Sequence, residues 1–290
     1  MAVSLAYLSV VLIWSTTPLA IKWSGEGPGF LFGASARMAI GGCCVWLLLL
    51  LLRQRLPSDR KSLLAYAGAA IHIYGSMLAV YWGAQFIPSG WVAVIFGLTP
   101  MMTALMAAFW LGERGALLPR LTAYGLGIGG LFLMIESAAE VGPQSLKGIV
   151  GVLLSAFLQA SSSIWVKRVH APLPSLQLLG GGLALSVPAY LATWWVADGQ
   201  WPQQVPSASL ISIAYLGAVA TTVGFACYFY VLKHLAATRV ALITLATPVT
   251  ALALGHLANR EPVSIQVFAG AGLILFALFI HEFSGRRRGR

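Results

Sequence analysis

Of 290 residues, 59% are apolar and only 9% charged, with a mean hydropathy of +0.83; a soluble domain carries about 25% charged residues, so the chain reads as an integral membrane protein. The formal net charge of +10 does not point to nucleic acid, because the basic residues sit in short breaks between apolar runs. Cys43, Cys44 and Cys227 lie inside apolar runs and read as small packing residues, which argues against a disulfide framework or a metal site.

Ten apolar stretches of about 20 residues, the length a bilayer requires, predict ten helices. Their approximate limits are 3–22, 30–52, 62–86, 89–111, 117–136, 147–168, 174–196, 208–233, 239–258 and 264–283. The first has no basic residues ahead of it and reads as a span, not a cleaved leader. It carries Trp14, Ser15, Thr16, Thr17 and Pro18 near its middle. The second contains Arg37, the one formal charge well inside a span. It sits about 10 Å from the outer end of its helix at 1.5 Å per residue, and is expected to act structurally, snorkelling outwards, with a substrate carboxylate as its other conceivable partner. The third carries His72 near mid-bilayer, with Ser76 on the same face. An ionisable side chain at that depth is a functional candidate by default, either as a substrate or proton site or as a neutral packing histidine.

The fourth stretch is the pattern's centre, because it recurs as the ninth. WVAVIFGLTPMMTALMAAFWLGE (91–113) and RVALITLATPVTALALGHLANRE (239–261) superpose with a shift of 148. Six identities result: Val92, Ala93, Ile95, Thr99, Pro100 and Glu113 on Val240, Ala241, Ile243, Thr247, Pro248 and Glu261. Proline has no N–H, so it deprives the carbonyl four residues back of its donor. Those carbonyls belong to Phe96 and Thr244. In lipid such a group must meet a neighbouring helix or line a cavity. Pro100 and Pro248 are therefore read as hinges, expected to bend both helices at their centres. Glu113 and Glu261 read as loop residues.

The fifth stretch contains GLGIGG, Gly125 to Gly130. No strand precedes it, so the nucleotide reading fails, and Gly125 and Gly129 are expected at a close helix contact. Ser137 to Leu146 is the longest connection and joins the halves. Shifted by 145, the sixth stretch sets Gln159 opposite Trp14, followed by Ser161, Ser162 and Ser163. These polar residues suggest either a hydrogen-bonding midplane or helix packing. Aromatic residues near span ends, such as Trp82, Trp91, Trp194 and Tyr230, fit an interfacial belt.

Fourteen of eighteen Lys and Arg fall in the breaks after helices two, four, six and eight or at the C-terminus; three lie on the other side. The positive-inside rule then places both termini in the cytoplasm. Each half has five spans, an odd number, so the second half enters from the opposite face. The expected fold is an all-α membrane protein of ten helices in two inverted five-helix repeats, 1–140 and 141–290.

With FIPSGWVAVIFGLTPMMTALMAAFWLGE (86–113) and ATRVALITLATPVTALALGHLANRE (237–261), plus Ile21-Lys22 and Val166-Lys167 at the ends of helices one and six, nearly the whole chain resembles the drug/metabolite transporter superfamily, in its EamA-type branch. The second copy departs from the usual apolar-Gly-Glu ending, reading Asn259-Arg260-Glu261. The resemblance implies export of small metabolites by alternating access, and the aromatic interior is similar to that of bacterial aromatic amino acid exporters. An enzyme is disfavoured: no H-E-x-x-H, G-x-S-x-G or Walker sequence occurs, and Asp59 and Asp198 lie outside spans.

Candidate cavity residues are Trp14, Thr17, His72, Ser76, Phe96 and Thr99, with Gln159, Ser163 and Thr244 from the second half. No cofactor or metal is expected. Expected partners are the bilayer and a neutral or zwitterionic, partly apolar substrate, with protons as the candidate coupling ion and no nucleic acid. The ammonium of such a substrate would meet the carbonyls of Phe96 and Thr244 or the Trp14 face, and its carboxylate the hydroxyls of helix six. A bacterial inner-membrane location and a monomer or weak oligomer complete the expectation.

Overall fold

A computed structural model describes residues 2–112, 117–236, 239–240, 243–261 and 264–286. Among them no strand occurs, and the chain forms ten helices: α1 (Ala2–Gly25), α2 (Phe30–Leu51), α3 (Arg60–Gly83), α4 (Ser89–Trp110), α5 (Leu117–Val141), α6 (Ser145–Val169), α7 (Ser175–Ala197), α8 (Ser207–His234), α9 (Ile243–Asn259) and α10 (Ile265–Arg286). Seven of them, α1 to α4 and α6 to α8, are long and apolar enough to cross a membrane. Within α5 and α10 the residues with described side chains form the apolar stretches Thr122–Glu136 and Ile265–Ile280, and the described part of α9 has 17 residues. Glu113 and Arg114 lie outside the described residues.

The helix ends follow local chemistry. Asp59 starts α3 by accepting hydrogen bonds from the Lys61 and Ser62 N–H groups and from the Ser62 hydroxyl at 2.6 Å, meeting donors that the first turn leaves unpaired. Prolines 88, 174 and 206 stand just before α4, α7 and α8, where a missing N–H costs nothing. The expected Ser137–Leu146 linker is shorter than the sequence suggests, because α5 continues to Val141 and α6 begins at Ser145. Polar Ser137 and Glu140 ended the apolar run without ending the helix.

Three helices are irregular. α4 breaks after Phe96, and its second segment starts at Thr99 with Pro100 in the first turn. α9, in contrast, runs continuously through Pro248. The two Thr-Pro sites therefore have different backbone outcomes. α3 and α8 each contain wide π-helical turns, at Ile71–Ser76 and Leu216–Gly224. With the 148-residue shift the first range falls inside the second.

The helices pack in a recurring scheme: α1 against α9 and α4 against α6, α2 against α8 and α7 against α3, α2 against α7, α4 against α9. α5 and α10 pair extensively with each other at one side. Their crossing is tight at Gly130 and Gly270, where a β-carbon on either would stand 2.6 Å from the other's carbonyl oxygen. The expected contact at Gly125 and Gly129 is therefore corrected: both face open space. The rotation of α5 about its axis turns Gly130 towards α10 instead.

Candidate functional site

Mid-depth residues of α1, α2, α3, α4, α6, α8 and α9 surround a central cavity of about 60 Å³. Trp14, Thr17 and Pro18 line it from α1, Phe96 from α4, and Gln159 from α6. His72 lines it from the wide turn of α3. Such a turn is frequent at functional sites because it redirects side chains.

Trp14, His72 and Phe225 form an aromatic wall, with Tyr228 packed against them outside the lining. Trp14 stacks on Tyr228 with ring centroids 5.1 Å apart, and His72 meets Tyr228 edge-on at 5.1 Å and Phe225 at 5.0 Å. His72 is fully buried, and neither ring nitrogen has a hydrogen-bond partner. The Tyr228 hydroxyl lies toward Gln159 and Ser163 of α6.

The backbone contributes too. Pro18 inside α1 withholds a donor from the Trp14 carbonyl, as Pro100 does from that of Phe96. The Ser15 and Thr17 hydroxyls donate to the carbonyls of Val11 and Ile13.

Arg37 is the unexpected member. It is 1% exposed, so it does not snorkel. It lines the cavity, donating from Nε to the Thr221 hydroxyl at 2.9 Å, while its guanidinium carbon stands 5.8 Å from the Tyr81 ring centre and 6.0 Å from that of Phe225. Its isolation as a formal charge within a span was visible in the sequence. Its inward direction was not.

The sequence candidates divide. Trp14, Thr17, His72, Phe96 and Gln159 converge on the cavity. Ser76 does not: it pairs with Ser155, hydroxyl to hydroxyl at 2.9 Å, and its carbonyl accepts from Ser155 at 2.7 Å, joining α3 to α6. Thr99 is buried with no partner for its hydroxyl, away from the cavity lining, whereas Thr247, its counterpart 148 residues on, lines the cavity. Thr244 belongs to α9, but its side chain lies outside those described. The helix-six hydroxyls do not form a recognition surface. Ser161, Ser162 and Ser163 donate to the carbonyls of Phe157, Gly68 and Ala160, each using its single proton. Phe225, Tyr228 and Thr247 were missed; Phe225 and Tyr228 share a face at i, i+3 spacing.

Two recesses flank the cavity at opposite ends of α3. One, of about 190 Å³, is lined by Ile21, Lys22, Phe30, Tyr81, Ala84 and Gln85. The other, of about 330 Å³, includes Val166, Lys167, Ser175, Phe229, Leu232 and Lys233. With shifts of 145 for the first three residues and 148 for the rest, the first set maps position by position onto the second. Near the smaller recess a polar knot joins three helices: the Glu261 carboxylate accepts from the Ser89 hydroxyl at 2.9 Å, the Gly90 N–H at 3.3 Å and the Asn259 amide at 3.0 Å. Lys22 completes it at 3.5 Å.

Compared with known proteins, residues 1–136 and again 146–281 match the EamA-like transporter family. The chain is 25% identical to a Bacillus subtilis protein named uncharacterized transporter YoaV, over 99% of this chain and 98% of that one. It is 27% identical to an Escherichia coli K12 protein named probable amino-acid metabolite efflux pump, over 70% of each. A crystal structure at 20% identity superposes with a TM-score of 0.70, covering 99% of both chains, and shares the fold.

Proposed function

The chain belongs to the EamA-like transporter family, and from that premise we propose that it exports amino acids or similar zwitterionic metabolites by alternating access between two inverted five-helix halves, residues 1–140 and 141–290. One observation carries the reading: the paired recesses, which correspond residue by residue and lie at opposite ends of α3, on either side of an aromatic cavity. The exchange of packing partners supports it, since α1 on α9 becomes α6 on α4 when the halves are swapped. So does the coincidence of the wide turns in α3 and α8.

In this reading all ten helices span the bilayer, both termini are cytoplasmic and the smaller recess faces outwards. The membrane is the bacterial inner membrane. Substrate sits at mid-depth against Trp14 and His72. The cavity of about 60 Å³ is well below the ~300 Å³ or more of a site for a drug-sized ligand, so the aromatic wall separates when substrate is taken up. Pro18, Pro100 and Pro248 let helix halves tilt as it does so. The relative named as an amino-acid metabolite efflux pump favours this class of cargo, and the scarcity of cations in the cavity disfavours phosphorylated sugars, which need several.

Reconstitution into proteoliposomes tests it. Labelled phenylalanine and leucine should be transported, each competing with the other. Transport of sugar phosphates with no amino acid transport would overturn it.

A further inference from the structure

Building on that transport reading, we propose that Arg37 is the anchor for the substrate's carboxylate: the transported molecule carries a single carboxylate that pairs with the Arg37 guanidinium at the outer end of the central cavity.

The argument starts from cost. Arginine keeps its charge in proteins, and a buried charge without a partner is strongly unfavourable. Arg37 is 1% exposed. Among the described residues the one ion pair is Lys22 with Glu261, so none of their carboxylates neutralises Arg37. What the fold supplies instead falls short. Thr221 takes the Nε proton, and the faces of Tyr81 and Phe225 offer cation–π attraction. Nη1 is buried with no hydrogen-bond partner. A donor of this kind beside a cavity matches a carboxylate, which arginine binds through paired, charge-assisted hydrogen bonds.

The rest of the wall agrees. The helix-six hydroxyls are already donating to backbone carbonyls, so they have no proton to offer a carboxylate. The carbonyls of Trp14 and Phe96, each deprived of a donor by a proline, suit an ammonium. The rings of Trp14 and Phe225 suit an apolar or aromatic side chain between the two charged ends. One cation suits one negative charge and leaves a phosphate dianion undercompensated.

Tyr81 gives the anchor a place on the path. Its ring lies beneath Arg37 and also lines the smaller recess, so a carboxylate held by Arg37 stands at the boundary between cavity and recess.

The test uses the full chain in proteoliposomes and a set of related probes: phenylalanine, its methyl ester, phenethylamine and 3-phenylpropionate. The natural chain should transport phenylalanine about ten- to a hundredfold better than the ester or the amine, the range expected for a hydrogen bond to a charged group. Arg37→Gln should abolish that preference, and Arg37→Lys should restore part of it. The ester comparison uses the natural chain, so it does not depend on the folding of a variant. Transport of 3-phenylpropionate but not phenylalanine, lost in Arg37→Gln, would keep the anchor while overturning the amino-acid reading. Equal transport of acid and ester, an acid preference surviving in Arg37→Gln, or transport of neither carboxylate would overturn the anchor.

Discussion

Lys22 at the end of α1 and Glu261 just beyond α9 stand 3.5 Å apart, side chain to side chain. The contact is reinforced where α4 begins, through Ser89 and Gly90. Three helices that border the cavity are thereby held together at one end. Glu261→Gln should loosen that end, at a cost of about 1 kcal/mol for a lost charge-assisted contact. Labelling of a cysteine at Gln85, in the adjoining recess, should then be roughly fivefold faster than in the otherwise identical parent. Unchanged labelling would show that the knot is only structural.

The same knot predicts a pH dependence. Burial pushes the Glu261 carboxyl up, but hydrogen bonds from Ser89 and Asn259 and the charge of Lys22 outweigh it, holding the group below its ordinary value of 4.5. A carboxylate whose folded value is depressed stabilises the folded protein fully above the unfolded value, and that contribution disappears as pH falls through the folded one. Thermal stability should therefore be flat in this respect above pH 5 and drop below about 4.5. Glu261→Gln should flatten that portion of the curve, while an unaltered acid limb would remove Glu261 as its source.

Topology is directly measurable. In a chain with Cys43, Cys44 and Cys227 replaced, cysteines at Gln144 and at Ser58, both exposed, should label from outside and inside the cell respectively. Ser145 is a poorer site because it is buried and donates to the Gly142 carbonyl. Labelling of both positions from one side would overturn the inversion of the second half.

Pro100→Ala restores an N–H at the broken point of α4, whereas Pro248→Ala does so in a helix that is already continuous. Both should lower transport more than they lower the amount of folded protein, with the larger loss at Pro100. Equal and normal rates in both would make the prolines packing features.

Trp14→Ala removes a cavity-lining ring stacked on Tyr228, and Gln159→Ala removes the polar side chain that lines the cavity from α6. Each should weaken transport of phenylalanine about fivefold or more, on the scale of about 1 kcal/mol or above for a lost ring or polar contact. Expression should be nearly unchanged, because neither substitution leaves a buried charge. Wild-type transport by both would move the substrate site elsewhere.

Much of the architecture was legible because bilayer spans are set by length and apolarity, which hydropathy reports directly. The repeat was legible from the six identities between 91–113 and 239–261, Thr99-Pro100 and Thr247-Pro248 among them. What escaped was rotation about helix axes. Gly130 rather than Gly129 meets α10, Ser76 turns to Ser155, and Arg37 turns inward to Thr221; each outcome depends on neighbours remote in sequence. The wide turns of α3 and α8 compound the difficulty, since they displace the helical period on which face assignments rest.

Those wide turns also bear on how the protein can change over evolutionary time. A π turn accommodates one residue more than the regular helix around it, and one residue corresponds to about 100° of azimuth. Deleting a single residue within 71–76 or 216–224 would let the helix revert to regular winding and swing every side chain on one flank to a new bearing. His72 and its ring neighbours could thus be exchanged for a different set in one genetic step, with the bilayer-facing length of the helix nearly preserved. In such a scaffold new cargo preferences need not accumulate through point substitutions in the cavity wall; they can arise by winding.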